Sequence, residues 1–309
     1  MASTVYPVAS GHPDLSGTYI PTLYAMKLLV EFYKATVFGE IANTDYEGEI
    51  KQHGDKVTVR MLPSITVRDY VKGQGLNYES PEPATVELLI DQGKYWAISI
   101  NKVDEVQADI DFVDKWAVHA SEQVKIEIDS DILGDIYDDN HASNGGATAG
   151  LESSSINLGA SGSPLSVTKS NVLDVLVDCG TVLDEQNVPE TGRWCVIPPW
   201  MAGSIKKSDL KDCSMTGDGE SVLRNGRLGR IDRFTLYSSN NLHTATDGTD
   251  SVTDCIFGHP TALTFASQMT EKEVIPNPDD FGRLLRALQV YGFKVVKSEA
   301  LGRLYATKG

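Results

Sequence analysis

The sequence predicts an α+β fold, and three observations carry that prediction. Two runs of apolar residues with a period of two, starting at Lys56 and Val86, read as half-buried strands. A single apolar stripe at spacings of three and four runs from Val103 to Ile136, the mark of one long amphipathic helix. Residues 170–270 then alternate strand and helix patterns, which reads as an α+β or α/β layer with its own core.

In chain order, residues 1–18 are small, polar and marked by Pro and Gly, and read as an arm that finds its partners outside any core of its own. In YIPTLYAMKLLVEFYKATVFGEIAN, Leu23, Met26, Leu29, Val30, Phe32 and Tyr33 fall at helical spacing, and Pro21 suits a first turn. A short amphipathic helix is expected there. From Lys56, Val57, Val59, Met61, Ile65 and Val67 share one parity with Pro63 among them, so this strand is an edge, carries a bulge or is kinked. The return segment sets Val86, Leu88 and Ile90 on one face. It continues in the same parity through Trp96, Ile98 and Ile100, with Gly93 a candidate bulge.

Extended over residues 56–71, each arm of this hairpin would reach about 50 Å at ~3.3 Å per residue. An isolated two-stranded ribbon is marginally stable in water, so the hairpin needs something to lie on. The stretch RDYVKGQGLNYESPEP, residues 68–83, is also far longer than the about two to five residues that close an ordinary hairpin. A long polar tip of this kind is expected to dock on a neighbouring molecule. Arg68, Asp69, Tyr70 and Lys72 are its candidate contact residues, set against the alternative that they are solvated strand-end residues.

The helical stripe that follows loses a strict heptad by adding Ile126 and Leu133, which favours a spine lying across a sheet over a coiled-coil strand. Residues 141–168, rich in Gly, Ser and Ala, read as a mobile connector. NVLDVLVDCGTVLDEQ returns to helical spacing through Val172, Leu176, Cys179 and Leu183, with Ser170 a candidate cap. RWCVIPPWMAGSIKK reads as strand, Pro198-Pro199, helix, and GRIDRFTLYSSNNL as a strand. In CIFGHPTALTFASQM, Pro260 is expected to open a helix after a strand ending near Phe257. The tail RALQVYGFKVVKSEALGRLYATK has strand character and is placed to rejoin the earlier sheet.

Composition narrows the function. A formal net charge of −16 with no basic run argues against a dedicated nucleic-acid binder, because phosphate contacts need clustered Lys and Arg. Cys179, Cys195, Cys213 and Cys255 form no CxxC pair and read as reduced, packed thiols. The start MASTVYPVASGHPD lacks a signal-peptide pattern, and no apolar run approaches the ~20 residues that cross a bilayer, so no membrane partner and a cytoplasmic origin are expected.

Recognised chemistry is scarce. No phosphate-binding loop matches, and GRLGR around Gly226 and Gly229 reads as a turn. GASGS at 159–163 departs from a nucleophile elbow, since Ser163 stands at its second glycine and no strand-turn-helix surrounds Ser161. The histidines at 12, 53, 119, 141, 243 and 259 stand alone, without metal-ligand spacing. The acidic run DSDILGDIYDD, residues 129–139, departs from an EF-hand loop and reads as a solvated helix face. No catalytic residue, metal site or cofactor is therefore expected.

The strings ATVFGEIANTDYEGEIKQHGDKVTVR, TVRDYVKGQGLNYESPEP, DKWAVHASEQVKIEIDSDIL, RNGRLGRIDRFTLYSSNNL and CIFGHPTALTFASQM, in this order, resemble the major capsid proteins of tailed bacteriophages with the Hong Kong 97-like fold. The resemblance covers most of the chain. It implies an N-terminal arm and short helix over 1–47, and an extended loop with peripheral strands over 48–101. A spine helix and flexible connector over 102–168 follow, then an axial domain over 169–275 and a C-terminal return over 276–309.

The resemblance implies a non-enzymatic shell subunit whose extended loop lies over an adjacent copy. Its partners would be copies of itself in pentamers and hexamers, a separate scaffolding protein (since no scaffolding segment precedes Tyr19), a portal protein, in some shells a decoration protein, and packaged double-stranded DNA held without sequence-specific binding. Its place would be the virion, after assembly in the host cytoplasm. Some members crosslink subunits through a Lys–Asn bond assisted by Glu; Lys72 lies near the tip, but no Asn or Glu here can be matched to it. The alternatives are an encapsulin-like nanocompartment shell with the same fold and, from another class, a hydrolase built on residues 170–270.

Overall fold

The computed structural model describes residues 36–44, 56–103 except 62, 64 and 84, 112–208, and 229–309 except 279. The expected arm, and most of the helix expected after Tyr19, lie outside the described residues. What is described of that region includes a single helical turn, α1 (Phe38–Ile41), whose Ile41 is buried.

Three sheets organise the chain. β1 (Lys56–Arg60) and β2 (Thr85–Leu89) form an antiparallel ribbon. β3 (Gln92–Asn101) pairs with β11 (Gly282–Val295), which pairs with β10 (Leu263–Pro276), giving the order β10-β11-β3. The third sheet has seven strands. Six of them, β4 (Leu165–Val167), β12 (Leu301–Lys308), β9 (Asp250–Gly258), β5 (Trp194–Ile197), β7 (Phe234–Ser238) and β6 (Arg230–Ile231), run in that order, and β8 (Thr244–Asp247) also pairs with β9. The long helix is α2 (Phe112–Asp135), continued by a 3-10 turn over Ile136–Asp138. At 1.5 Å per residue, α2 is about 36 Å long. Helices α3 (Val172–Glu185) and α4 (Pro199–Lys207) follow among the described residues, and α4 opens on a proline whose missing N–H costs nothing at that position.

One continuous core joins these parts. Ile128, Ile132, Leu133 and Ile136 of the spine side pack with Val175, Leu176 and Cys179 of α3, with Val196 and Ile256 of the large sheet, and with Phe265 and Tyr291 of the three-stranded sheet. Arg193, fully buried, donates to the carbonyls of Pro189, Gly180 and Val188 and pairs with Asp184, so its charge is satisfied inside the protein.

Several expectations need correction. The ribbon ladder stops at Arg60↔Thr85 and does not run to residue 71. Continuing its register would set residues 61–64, with Pro63, against 81–84, with Pro81 and Pro83, and three prolines leave that stretch short of ladder donors. The return segment is two strands in two sheets, separated at Ile90 and Asp91. Gly93 is no bulge: it pairs in register with Val290, and the irregularity lies between Ser267 and Met269.

The connector 141–168 is tied down rather than loose. Asn144, Ala149 and Leu158 are fully buried, the Asn144 amide donates to the carbonyls of Glu299 and Leu301, and Tyr305 N donates to Leu158 O. Its small residues serve close packing: a Cβ on Gly159, at φ +79°, would stand 2.1 Å from Tyr305 O. Pro260 opens no helix. A turn over 260–262 leads into β10, because the β-branched and aromatic residues that follow pair along the whole of β11. Asn171, not Ser170, stands at the start of α3, its side-chain oxygen accepting from Thr168 N. The acidic run is not simply solvated. Asp129 is fully buried, and Asp131 pairs with Lys94 and accepts from the Tyr291 hydroxyl.

Candidate assembly surface

Between Arg60 and Thr85 the chain leaves the ribbon as a loop, with no strand among its described residues. Its turn is closed by Gln74 N donating to Val71 O at 3.1 Å, with Gly73 at φ +89°, a conformation that side chains other than glycine rarely adopt. The two arms are held together by side chains: Arg68 pairs with Glu79, whose other oxygen accepts from Thr66 N at 3.4 Å.

Arg68, Asp69, Tyr70 and Lys72 are all exposed. The structure brings Arg68 to Glu79, whereas Asp69 and Lys72 make no ion pair among the described residues. The sequence reading missed the apolar members of the loop. Ile65, Val67, Leu76 and Tyr78 stand exposed beside Tyr70 and Val71, with Val67 at 93% and Tyr78 at 89%. Ile65 and Val67 share the parity of the strand that begins at Lys56 and read as part of it, while Leu76 and Tyr78 fall in the stretch that reads as a polar tip. On this loop the apolar side chains stand exposed instead of buried.

The magnitudes rank these residues. Burying one such side chain contributes roughly 1.5–3 kcal/mol. An exposed ion pair contributes about 0–1 kcal/mol. Val67, Tyr70, Leu76 and Tyr78 therefore dominate any contact made here, and Arg68 acts first by holding the arms in shape.

The loop is anchored at its root. Leu88 and Ile90 pack with Ala266 and Val290. A Cβ on Gly292 would stand 2.0 Å from Leu89 O, so only glycine lets the ribbon lie this close to β11.

Titratable groups elsewhere are tied into the framework. Asp254, fully buried, accepts from Arg303 Nε at 2.7 Å and bonds His243 Nδ1 at 2.7 Å. Arg303 also reaches Asp138 and lies over the rings of Tyr137 and Tyr305, so this group clamps the end of the spine to β9 and β12. Ser161 sits in the tight turn closed between Ala160 and Ser163. Burial pushes the thiols of Cys179 and Cys255 well up, and that of Cys195 to about 12. Among the described residues no three His, Cys, Asp or Glu side chains gather as a metal site. No described helix is long and apolar enough to cross a membrane.

No family model and no curated protein matches this chain. Solved structures do. A protein of Mycobacterium phage Che8 is 27% identical, with a TM-score of 0.77 over 93% of this chain and 97% of that one. The capsid structure of cyanophage P-SCSP1u superposes with a TM-score of 0.71 at 16% identity, over 94% of each chain. The capsid of Ralstonia phage GP4 gives 0.66 at 15%, over 99% of this chain and 98% of that one. The chain has the fold of phage capsid proteins. Coverage near the full length of both partners means that the capsid fold takes in the ribbon, the spine helix and both larger sheets together.

Proposed function

We propose that this chain is a structural major capsid protein that self-assembles into the icosahedral head shell of a tailed phage, around double-stranded DNA. The observation that carries the proposal is the loop between Arg60 and Thr85, which presents large apolar side chains exposed to solvent in a chain with the fold of phage capsid proteins. In a closed shell, each subunit offers one surface to a different surface of the next, and rotation closes the set. Many moderate contacts then add up.

The finer assignment follows the Hong Kong 97-like arrangement. Residues 48–101 form the extended loop and its base, 102–168 the spine and connector, 169–275 the axial domain, and 276–309 the return. Arg68, Asp69, Tyr70 and Lys72 belong to the contact with the adjacent copy. The role is not enzymatic. A separate scaffolding protein, a portal protein and, in some shells, a decoration protein are the proposed partners. The mature location is the virion, after assembly in the host cytoplasm. The net charge of −16 suits a wall that should not grip the packaged DNA.

Negative-stain imaging of the protein, expressed alone and with a scaffolding protein, tests this reading: closed particles of uniform size are expected. A chain that remains monomeric under both conditions overturns it. Arg68→Ala with Lys72→Ala should leave the monomer folded and lower shell yield, and Val67→Ser with Tyr78→Ser should lower it further. Unchanged yield in both pairs would remove this loop from the contact.

A further inference from the structure

At the entry to α4 the chain runs Pro198-Pro199-Trp200. Proline has no side-chain oxygen, so Pro198 cannot cap the helix as Ser or Asp would. Met201 N and Ala202 N both donate to Pro198 O, while the Trp200 N–H, one residue earlier, has no acceptor among the described residues. The positive end of the helix dipole is therefore left uncovered.

A helix end of this kind by itself marks nothing. Here it opens on a cleft of about 320 Å³, walled by Pro198, Pro199, Trp200 and Leu242 and lined by Thr244, Ser251 and Thr253 of the large sheet. Thr253 on β9 and Thr244 on β8 are cross-strand partners, so their side chains stand together on one face, with Ser251 two residues along. Thr253 decides the reading. It is only 6% exposed, it lines the cleft, and its hydroxyl has no hydrogen-bond partner among the described residues. A buried hydroxyl left without a partner is costly, and an acceptor seated in the cleft would complete it.

Charge fixes the sign of that acceptor. The chain carries 43 acidic and 27 basic residues, yet no carboxylate lines this cleft. Lys308 does line it, exposed and without an ion pair among the described residues. One cation, neutral donors and an open helix end suit a single negative charge better than a phosphate dianion. The wall of proline, tryptophan and leucine suits an apolar body. We propose that this cleft binds a carboxylate carried on a small apolar group, its oxygens taken by Lys308, Thr253 and the Trp200 N–H. A free organic acid and the end of a peptide chain share this chemistry. The site also touches the frame of the molecule: Asn241, between the lining residues Asn240 and Leu242, donates to the spine carboxylate of Asp129. A ligand held by the folded chain alone therefore raises its stability. Nothing in this site depends on assembly.

Calorimetric titration of the full chain with hydrocinnamate tests the site. Hydrocinnamyl alcohol, which has the same body without the charge, and acetate, which has the charge without the body, are the controls. Saturable binding at one site per chain is expected for hydrocinnamate, with a rise in Tm, and roughly tenfold weaker binding for each control. The peptide glycyl-glycyl-phenylalanine and its amide form a second arm: an acid peptide that binds more tightly than hydrocinnamate assigns the site to a chain end, and one that binds less tightly assigns it to a free acid. Lys308→Met and Thr253→Val should each weaken hydrocinnamate about tenfold. Thr253→Val should leave the Tm of the ligand-free protein unchanged or higher, because it removes a hydroxyl that bonds nothing.

Absence of saturable binding by both acids overturns the site, as does equal binding of the alcohol. An affinity that Lys308→Met and Thr253→Val both leave unchanged would place the ligand elsewhere and overturn it too. A Thr253→Val protein that loses Tm and keeps its affinity would make Thr253 a framework residue, with the same consequence.

Discussion

Replacing Asp129 by Ala removes the carboxylate that joins three segments. One oxygen accepts from the backbone N–H groups of Val37 and Phe38 at 2.9 and 2.8 Å, fixing the entry to α1. The other accepts from Asn241 Nδ2 at 2.7 Å, in the chain between β7 and β8. Asp129 is fully buried, so water does not replace these contacts easily. Each buried donor left unsatisfied costs about 1–3 kcal/mol, and partial relaxation brings the total to roughly 3–5 kcal/mol. With an unfolding entropy of about 2.1 cal/mol/K per residue, a chain of 309 residues should lose ~5–8 °C of Tm. Asp129→Asn keeps the shape but turns one acceptor into a donor, so it should recover only part of the loss. Scanning calorimetry of unassembled subunits checks both variants. A shift of Asp129→Ala below ~2 °C would refute the reasoning, because it would mean that these donors find other partners at little cost.

Three further outcomes follow from the same geometry. Gly292→Ala must move the ribbon root by about 1.4 Å to reach ordinary contact, an overpacking that costs roughly 1–3 kcal/mol; shell yield should fall by more than the subunit's Tm suggests, and assembly at the wild-type rate would contradict the anchoring role. Cys179, Cys195 and Cys255 should stay unmodified by a thiol reagent at pH 8 in the native protein and react on unfolding, which peptide mapping reads directly; native labelling of any of them would show that the core opens there.

His259 gives the pH dependence. Burial, with the charges of Arg193 and Lys297, holds its imidazole below the ordinary value, outweighing the Thr191 carbonyl that favours the charged ring. Its Nδ1 accepts from Thr261 N, a bond that only the neutral ring makes. The depressed value means that the unfolded chain binds the proton more readily. The stability contribution is therefore complete above about pH 6.5 and is lost as pH falls through the lower folded value. Urea titrations between pH 7.5 and 5 should show a decline that His259→Asn flattens, and equal slopes in both proteins would refute it.

The parts legible in the sequence are those set by neighbours along the chain. The period of three and four marks the spine helix and α3, and RWCVIPPWMAGSIKK reads as strand, Pro198-Pro199, helix, the order found in β5 and α4. The length and polarity of residues 68–83 pointed to the loop for the same reason: no local hairpin needs them. Ile65 and Val67 fit a strand pattern without forming one, because a strand buried in its own sheet and a loop with exposed apolar side chains alternate alike.

What only the tertiary structure decided is pairing at long range. Nothing between Val86 and Ile100 tells that Leu89 belongs to one sheet and Gln92 to another, since β11, which sets the second register, lies almost two hundred residues away. Pro260 suits a helix start by its own torsion angle, yet β11 offers a complete ladder to the residues after it, and that ladder wins. Asp129 lies in an acidic run that reads as solvated, but the backbone donors of Val37 and Phe38 and the amide of Asn241 make its burial favourable. Local periodicity is a property of adjacent residues, whereas burial and pairing depend on which distant groups arrive, and only the folded chain brings those together.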